Sequence, residues 1–377
     1  MLNQDFENIR PYSDAETASV SKSLSNSKDW IALLTPLIGA DNAEEISEAM
    51  PLIQSVQEFQ DELTFPFLEA LIEGTTDRVS VSFDAETVEL ALTDTTLHIT
   101  NHKDIVLDPS LVNVARMGNG YASTEIGIGD NLLSQKWIED LVRVNRCFVV
   151  PRGGSARERW ASSLLVSDYI RSAIDKGQSV WLAQKEGRAK NGKDLTSPAL
   201  IRMLISDGGK KTWDDLNVRP VSLSYEWDPC DYFKVRELLM IEINGSYEKA
   251  VGEDELSMAI GITGHKGRVH LHFCDTIQWG EEEGIRTERV LAGIVDKAIF
   301  KGYEIFPNQI LAARYLKINI PEKLRLPVDL NDEKLFASRL KDVVDFIGIG
   351  LCSQEEIERK WCEITVQPLL AKYQITV

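Results

Sequence analysis

Apolar residues recur at helical spacing through the first part of the chain, at Ile53, Val56, Phe59, Leu63, Leu68 and Leu71, with Gly74 as a stop signal. This predicts a small helical N-terminal unit over 1–77. From about residue 78 the period shortens: RVSVSF, TLHIT, CFVV, SVWLAQ, RPVSLSY and RVHLHF are brief β-type runs, separated by helical stretches such as LLSQKWIEDLVRV and RERWASSLLVSDYIRSAIDKG. Strands alternating with helices imply an α/β domain over 78–285, a central and largely parallel sheet flanked by helices. RTERVLAGIVDKAIF and EKLFASRLKDVVDFI then return to the helical period, predicting a helical C-terminal extension over 286–377 packed on that core. The glycine-rich MGNGYASTEIGIGDN lacks the lysine of a phosphate-binding loop and does not fit the dinucleotide fingerprint, so it is read as a turn.

Composition narrows the classes. Hydrophobic residues make up 43% and charged residues 27% of 377, enough for a sizeable core. The longest apolar runs, WIALLTPLIGA and VVDFIGIGLC, fall well short of the roughly 20 residues that cross a bilayer. The five cysteines (Cys147, Cys230, Cys274, Cys352, Cys362) form no C-x-x-C pair, and MLNQDFENIR is no signal peptide, which together suggest a reduced, cytoplasmic protein. Cys147, inside an apolar strand, reads as packing rather than as a nucleophile.

A net charge of −18 argues against nucleic acid. Charge is uneven, however: residues 1–75 carry 14 acidic and 3 basic side chains, whereas 143–193 carry 11 basic and 4 acidic. The acidic end reads as a solvated face, and the basic stretch suggests an anion site.

In open α/β sheets, sites collect where strands end. His102 follows TLHIT, Arg152 follows CFVV, Glu186 follows SVWLAQ and Glu226 follows RPVSLSY. In TNHKDIVLDP, a histidine followed by two aspartates offers a general base: a carboxylate fixes one ring nitrogen and the other takes a proton from a hydroxyl. Asp108-Pro109 also reads as a helix N-cap with proline at the first helical position, and Asp104 is an alternative partner for His102. His270 and His272 share one strand face, as metal ligands would, but no third ligand follows at metal-binding spacing, so they read as packing or surface residues.

Four stretches in order, over about 96–228, resemble the glycerophosphate and lysophospholipid acyltransferase superfamily, most closely its glycerol-3-phosphate and dihydroxyacetone-phosphate acyltransferase branch. TNHKDIVLD resembles the first block, with His102 as base and Asp108 as its partner; IGDNLLSQKWIEDLVRVNRCFVVPR is similar to the second, placing Asn131, Phe148 and Arg152 at the acceptor's phosphate. SVWLAQKEGRAKNG resembles the third, implicating Glu186, Gly187 and Arg188, and RPVSLSYE the fourth, with Pro220 and Glu226 in the matching places. The chain departs from the family at two points: five residues rather than four separate His102 from Asp108, and Glu186-Gly187 directly abuts Arg188.

The resemblance implies transfer of a fatty acyl group to a hydroxyl of a glycerol-phosphate or lysophospholipid acceptor. An acyl-carrier protein or coenzyme A thioester would be the donor substrate, with no further cofactor. It also implies peripheral contact with the inner membrane face. Arg152 and Arg188 suit a phosphate clamp, since a guanidinium fork matches phosphate geometry, and Lys190 and Lys193 would add to it. Arg157, Arg159 and Arg171 read as surface charges, while Arg143 and Arg146 are open. Two other readings stay in view: acylation of a lyso-aminolipid, and a lipid-binding relative without catalysis.

Overall fold

The structure, a computed structural model, describes residues 6–84, 92, 95–133, 135–206, 209–279, 287–324, 326–350 and 352–375. Among these, seven strands form one sheet in the order β1-β7-β6-β2-β5-β3-β4. They are β1 (Arg78–Phe83), β2 (Leu97–Thr100), β3 (Glu125–Gly129), β4 (Cys147–Val150), β5 (Val180–Ala183), β6 (Val218–Tyr225) and β7 (Arg268–Phe273). Every neighbouring pair is parallel except β6 with β7. The protein is therefore α/β, with a mostly parallel sheet flanked by helices.

Each position of β2 and β6 is buried, as strands covered on both faces require. Successive residues of β5 divide between two apolar clusters. Val180 and Leu182 join one with Ile170 and Ile174 of helix Ala156–Asp175 and Leu291 and Val295 of helix Glu288–Gly302; Trp181 joins another with Leu111 and Val112 of helix Leu107–Met117. Helices Leu330–Ile347 and Gln354–Thr365 extend the first cluster through Phe336, Val343, Ile357 and Trp361. The N-terminal helices build a third around Leu24, Met50, Ile53 and Phe59, which Val144 also joins.

β3 corrects the expectation of a turn at EIGIG. Glycine is a poor strand former alone, yet both glycines here make room for neighbours. A Cβ on Gly127 would lie 2.6 Å from Leu182 Cδ2 and 3.0 Å from Phe148 Cζ, and one on Gly129 would lie 2.4 Å from Arg152 Nε. Close approach across the sheet outweighs propensity at these two positions.

Because β2 to β6 share one direction, residues following β2, β3, β4, β5 and β6 meet at one edge of the sheet. That edge carries the candidate chemistry.

Candidate active site at the end of β2

The chain leaves β2 at Asn101, a fully buried amide that donates to Leu223 O at 2.9 Å and accepts from Leu223 N at 2.8 Å. This side chain continues the ladder with β6 for one more residue and so fixes where His102 emerges. His102 is buried; its Nδ1 lies 2.9 Å from Asp108 Oδ2, and its backbone carbonyl accepts from Ala189 N at 3.0 Å. Among the described residues Nε2 has no hydrogen-bond partner, and the imidazole stands edge-on to Trp181 at 6.4 Å.

Asp108 is fully buried and accepts four hydrogen bonds. Oδ2 takes His102 Nδ1, Lys103 N at 2.7 Å and Asp104 N at 3.0 Å, and Oδ1 takes the Tyr225 hydroxyl at 2.9 Å. Two backbone amides and a phenol thus fix the carboxylate, and the carboxylate in turn places the proton of the imidazole on Nδ1. The Tyr225 hydroxyl is held as a donor, since burial and then the Asp108 charge push its ionisation well above the usual range.

The two aspartates left open by the sequence separate here. Asp104 Oδ1 accepts from Val106 N at 2.9 Å and Leu107 N at 2.8 Å, so Asp104 caps the helix that starts at Leu107. The cap expected from Asp108 is thus corrected: the N-cap position is Val106, the capping carboxylate is that of Asp104, four residues before Asp108, and Asp108 lies within the first helical turn. Burial, then the neighbouring Asp108, raises the Asp104 carboxyl above its ordinary value. Gly261 lets Asp104 tuck in, since a Cβ there would lie 2.2 Å from Asp104 Oδ2.

The loop after β5 crosses this edge. Glu186, whose side chain is 75% exposed, reaches Arg152 Nη1 at 3.4 Å; Gly187 takes φ +70°, and Arg188 Nη1 donates to Ser257 Oγ at 3.0 Å. Arg152 follows β4, its guanidinium over Gly129 beside Asn131. A narrow cleft of about 20 Å³ is lined by Arg188, Lys190, Lys234, Glu237 and Ser257. Lys190 pairs with Glu237 and Lys234 with Asp228. Burial lowers the Lys185 amine below its usual value, with Asp194 opposing it and Lys103, Lys234 and Lys190 adding to it.

Two expected site residues sit elsewhere. Phe148 is fully buried in the core, its ring 5.0 Å from Tyr169, and contributes packing. Pro220 lies within β6 in register with Ile99, its carbonyl accepting from Cys274 N at 3.0 Å. Glu226 forms a bidentate pair with Arg268, at 2.9 and 2.6 Å. Arg143 lies over the Tyr12 ring at 4.5 Å and donates to the Arg10 carbonyl, and Arg146 binds Gln178 and Gln57 at 2.9 Å each, so both are structural. Cys147 is buried, its thiol pushed up to about 12 by burial and then by Glu125.

Sequence reasoning missed Tyr225, Asp194 and Lys234. Asp194 is buried, accepts from His102 N at 3.3 Å and pairs with Lys103 at 3.2 Å. Lys234 donates to the Lys103 carbonyl at 3.0 Å. The only signal for Tyr225 was its place at a strand end beside Glu226.

No family model and no curated protein matches the chain. Among solved structures it is similar to the crystal structure of a 1-acyl-sn-glycerophosphate acyltransferase from Thermotoga maritima, at 10% identity and a TM-score of 0.35, over 81% of this chain and 97% of that one. A likeness this distant assigns no chemistry to this chain. No described helix is long and apolar enough to cross a membrane.

Proposed function

We propose that this chain is an O-acyltransferase that moves a fatty acyl group from a thioester to the hydroxyl of a glycerol-phosphate or lysophospholipid acceptor. The observation that carries the reading is His102: Nδ1 held at 2.9 Å by a buried carboxylate and Nε2 uncommitted, beside a cation-lined cleft at the carboxyl edge of the sheet. The four sequence blocks that resemble the family support it, since the residues after β2, β4 and β5 meet at that edge.

In this mechanism Nε2 takes the proton of the acceptor hydroxyl as its oxygen bonds to the thioester carbonyl carbon. Asp108 stabilises the imidazolium that forms. The tetrahedral intermediate then collapses, the C–S bond breaks, and the departing thiolate takes that proton from Nε2. Arg188, with Lys190, binds the acceptor's phosphate, and Arg152 with Asn131 adds a second contact from the end of β4. A phosphate entering the cleft competes with Glu237 for Lys190.

The donor is an acyl-carrier protein or coenzyme A thioester, both anionic and both suited to the basic stretch 143–193. The acceptor side lies at a lipid surface, and exposed Trp160 and Leu195, each 52% exposed, stand in sequence among Arg157, Arg159 and Lys193 as an interfacial contact would. Flotation with anionic liposomes is expected to carry the protein at low salt and to lose it in Trp160→Ser/Leu195→Ser. Wild-type protein that stays unbound at low salt removes the membrane part of the proposal.

The deciding experiment is thioester release from acyl-carrier protein and coenzyme A donors against glycerol-3-phosphate, lysophosphatidate and lyso-aminolipids. Release that needs a phosphate-bearing hydroxyl acceptor supports the reading. Release with lyso-aminolipids alone would reassign the arginines to a carboxylate, and lipid binding without release from any pair would mark a non-catalytic protein.

A further inference from the structure

Along the seam between β1 and β7, serine and histidine alternate in register: Ser80 opposite His270 and Ser82 opposite His272. Their side chains form one continuous chain. Ser80 Oγ lies 2.8 Å from His270 Nδ1, His270 Nε2 2.9 Å from Ser82 Oγ, and Ser82 Oγ 2.7 Å from His272 Nδ1. At its far end Asp84 Oδ1 is 3.4 Å from His272 Nε2, and Cys274 joins them: the ligand atoms of Asp84, His272 and Cys274 all lie within 4.8 Å of one another.

One set of proton positions along this chain leaves His272 Nε2 as a lone pair. In that set Ser80 Oγ donates toward Val269 O at 3.4 Å and accepts from His270 Nδ1–H at 2.8 Å. His270 Nε2 is then a lone pair that receives the Ser82 hydroxyl hydrogen, and Ser82 Oγ accepts from His272 Nδ1–H. His272 Nε2 is left as a lone pair facing a carboxylate. A cation placed between that lone pair and the Asp84 carboxylate would be held by both.

We propose that His272 Nε2, the Asp84 carboxylate and the Cys274 thiolate form a binding site for a borderline transition-metal dication of the zinc class. Nitrogen, oxygen and thiolate sulfur are the donors such ions take, and an Nδ1–H held by a hydroxyl is the outer contact that orients a ligating imidazole. Ligands about 2.0–2.3 Å from a tetrahedral ion lie roughly 3.3–3.8 Å apart, and the 3.4 Å between His272 Nε2 and Asp84 Oδ1 falls within that span. The frame is rigid on the cysteine side: Cys274 N donates to Pro220 O at 3.0 Å, and its carbonyl accepts from Arg219 at 2.7 Å. Gly302 packs against the His272 ring, where a Cβ would lie 2.7 Å from Cδ2.

Binding converts the thiol to a thiolate and releases one proton to solvent; a dication beside the sulfur supplies the charge that makes this favourable. Lys301 Nζ stands 3.2 Å from Asp84 Oδ1 and its side chain is 74% exposed, so it competes with the ion for the carboxylate and can swing out. The site is two strands removed from β2 in the sheet and shares no residue with the His102 machinery.

The test uses the purified full chain, stripped with chelator and dialysed against zinc or cobalt(II). One equivalent of zinc retained per chain is expected, and the cobalt form is expected to show a near-ultraviolet thiolate-to-metal charge-transfer band. Cys274→Ala is expected to lose the band, Asp84→Asn to bind zinc about 10-fold or more weakly, and Lys301→Met to bind it more tightly. Far-ultraviolet circular dichroism establishes that each variant is folded; if Cys274→Ala is not, Asp84→Asn at the strand end decides. Failure to retain zinc, a cobalt band that survives Cys274→Ala, or wild-type affinity in Asp84→Asn would overturn the proposal.

Discussion

At the end of β2, His102 meets a carboxylate that is fully buried and accepts four hydrogen bonds. At the end of β1, His272 meets one whose side chain is 21% exposed, with Lys301 as its other charged neighbour, and the two lie 3.4 rather than 2.9 Å apart. Both pairs unite the same residue types, yet they are held in opposite ways. Asp108 is locked by backbone amides and faces Nδ1, leaving Nε2 uncommitted among the described residues. The seam instead occupies Nδ1 with Ser82 and turns Nε2 toward Asp84 and Cys274. The two rings therefore differ in which nitrogen is committed, and to what, although each stands beside an aspartate.

The largest expected effect comes from removing the first ring. His102→Ala should lower acceptor-dependent thioester release by about 10²- to 10⁴-fold while leaving zinc retention intact. Asp108→Asn comes next, with a loss of about 10²-fold or more, since an amide no longer fixes the Nδ1–H tautomer or stabilises the imidazolium. Steady-state kinetics should place the loss in kcat, with KM for the acceptor little changed; a loss confined to KM would assign Asp108 to substrate binding instead. Asp84→Asn should do the reverse of both, weakening metal binding while thioester release continues at the wild-type rate. If that variant lost release as well, the two regions would not be independent.

Much of this contrast was hidden in the sequence, and for physical reasons. Six of the seven strands were legible because their runs are β-branched or aromatic, whereas β3 was missed because Gly127 and Gly129 serve close packing rather than propensity. The His102 pair is local, so a ten-residue stretch displayed it, although it did not say which aspartate caps the helix: a cap and a tautomer-fixing carboxylate differ only in where the chain turns. Tyr225, Asp194 and Lys234 arrive through crossovers of the sheet, and nothing near His102 in the chain points to them. The seam is the extreme case, since Asp84 and His272 are brought together by the parallel pairing of β1 with β7, whose partners are remote in sequence.

The smallest effect tests the division between the aspartates. The Asp104 carboxyl is raised by burial and then by Asp108, so the folded state holds a proton over a pH span in which the unfolded chain has released it. Its contribution to stability therefore falls as pH rises from the ordinary carboxylate range through that raised value. Asp104→Asn keeps the oxygen that accepts from Val106 and Leu107 and removes the titration. Urea unfolding across that span should show a flatter pH dependence, with stability at neutral pH gained by about 1 kcal/mol or less and release unaffected. An unchanged pH slope would mean that Asp104 is not the group titrating there.

The most direct measurement of the central claim is single-turnover release of thiol from an acyl thioester, with and without a hydroxyl acceptor, by wild type and by folded His102→Ala. The account predicts acceptor-dependent release in the wild type and its near-complete loss in the variant. Equal turnover by the two proteins would contradict it.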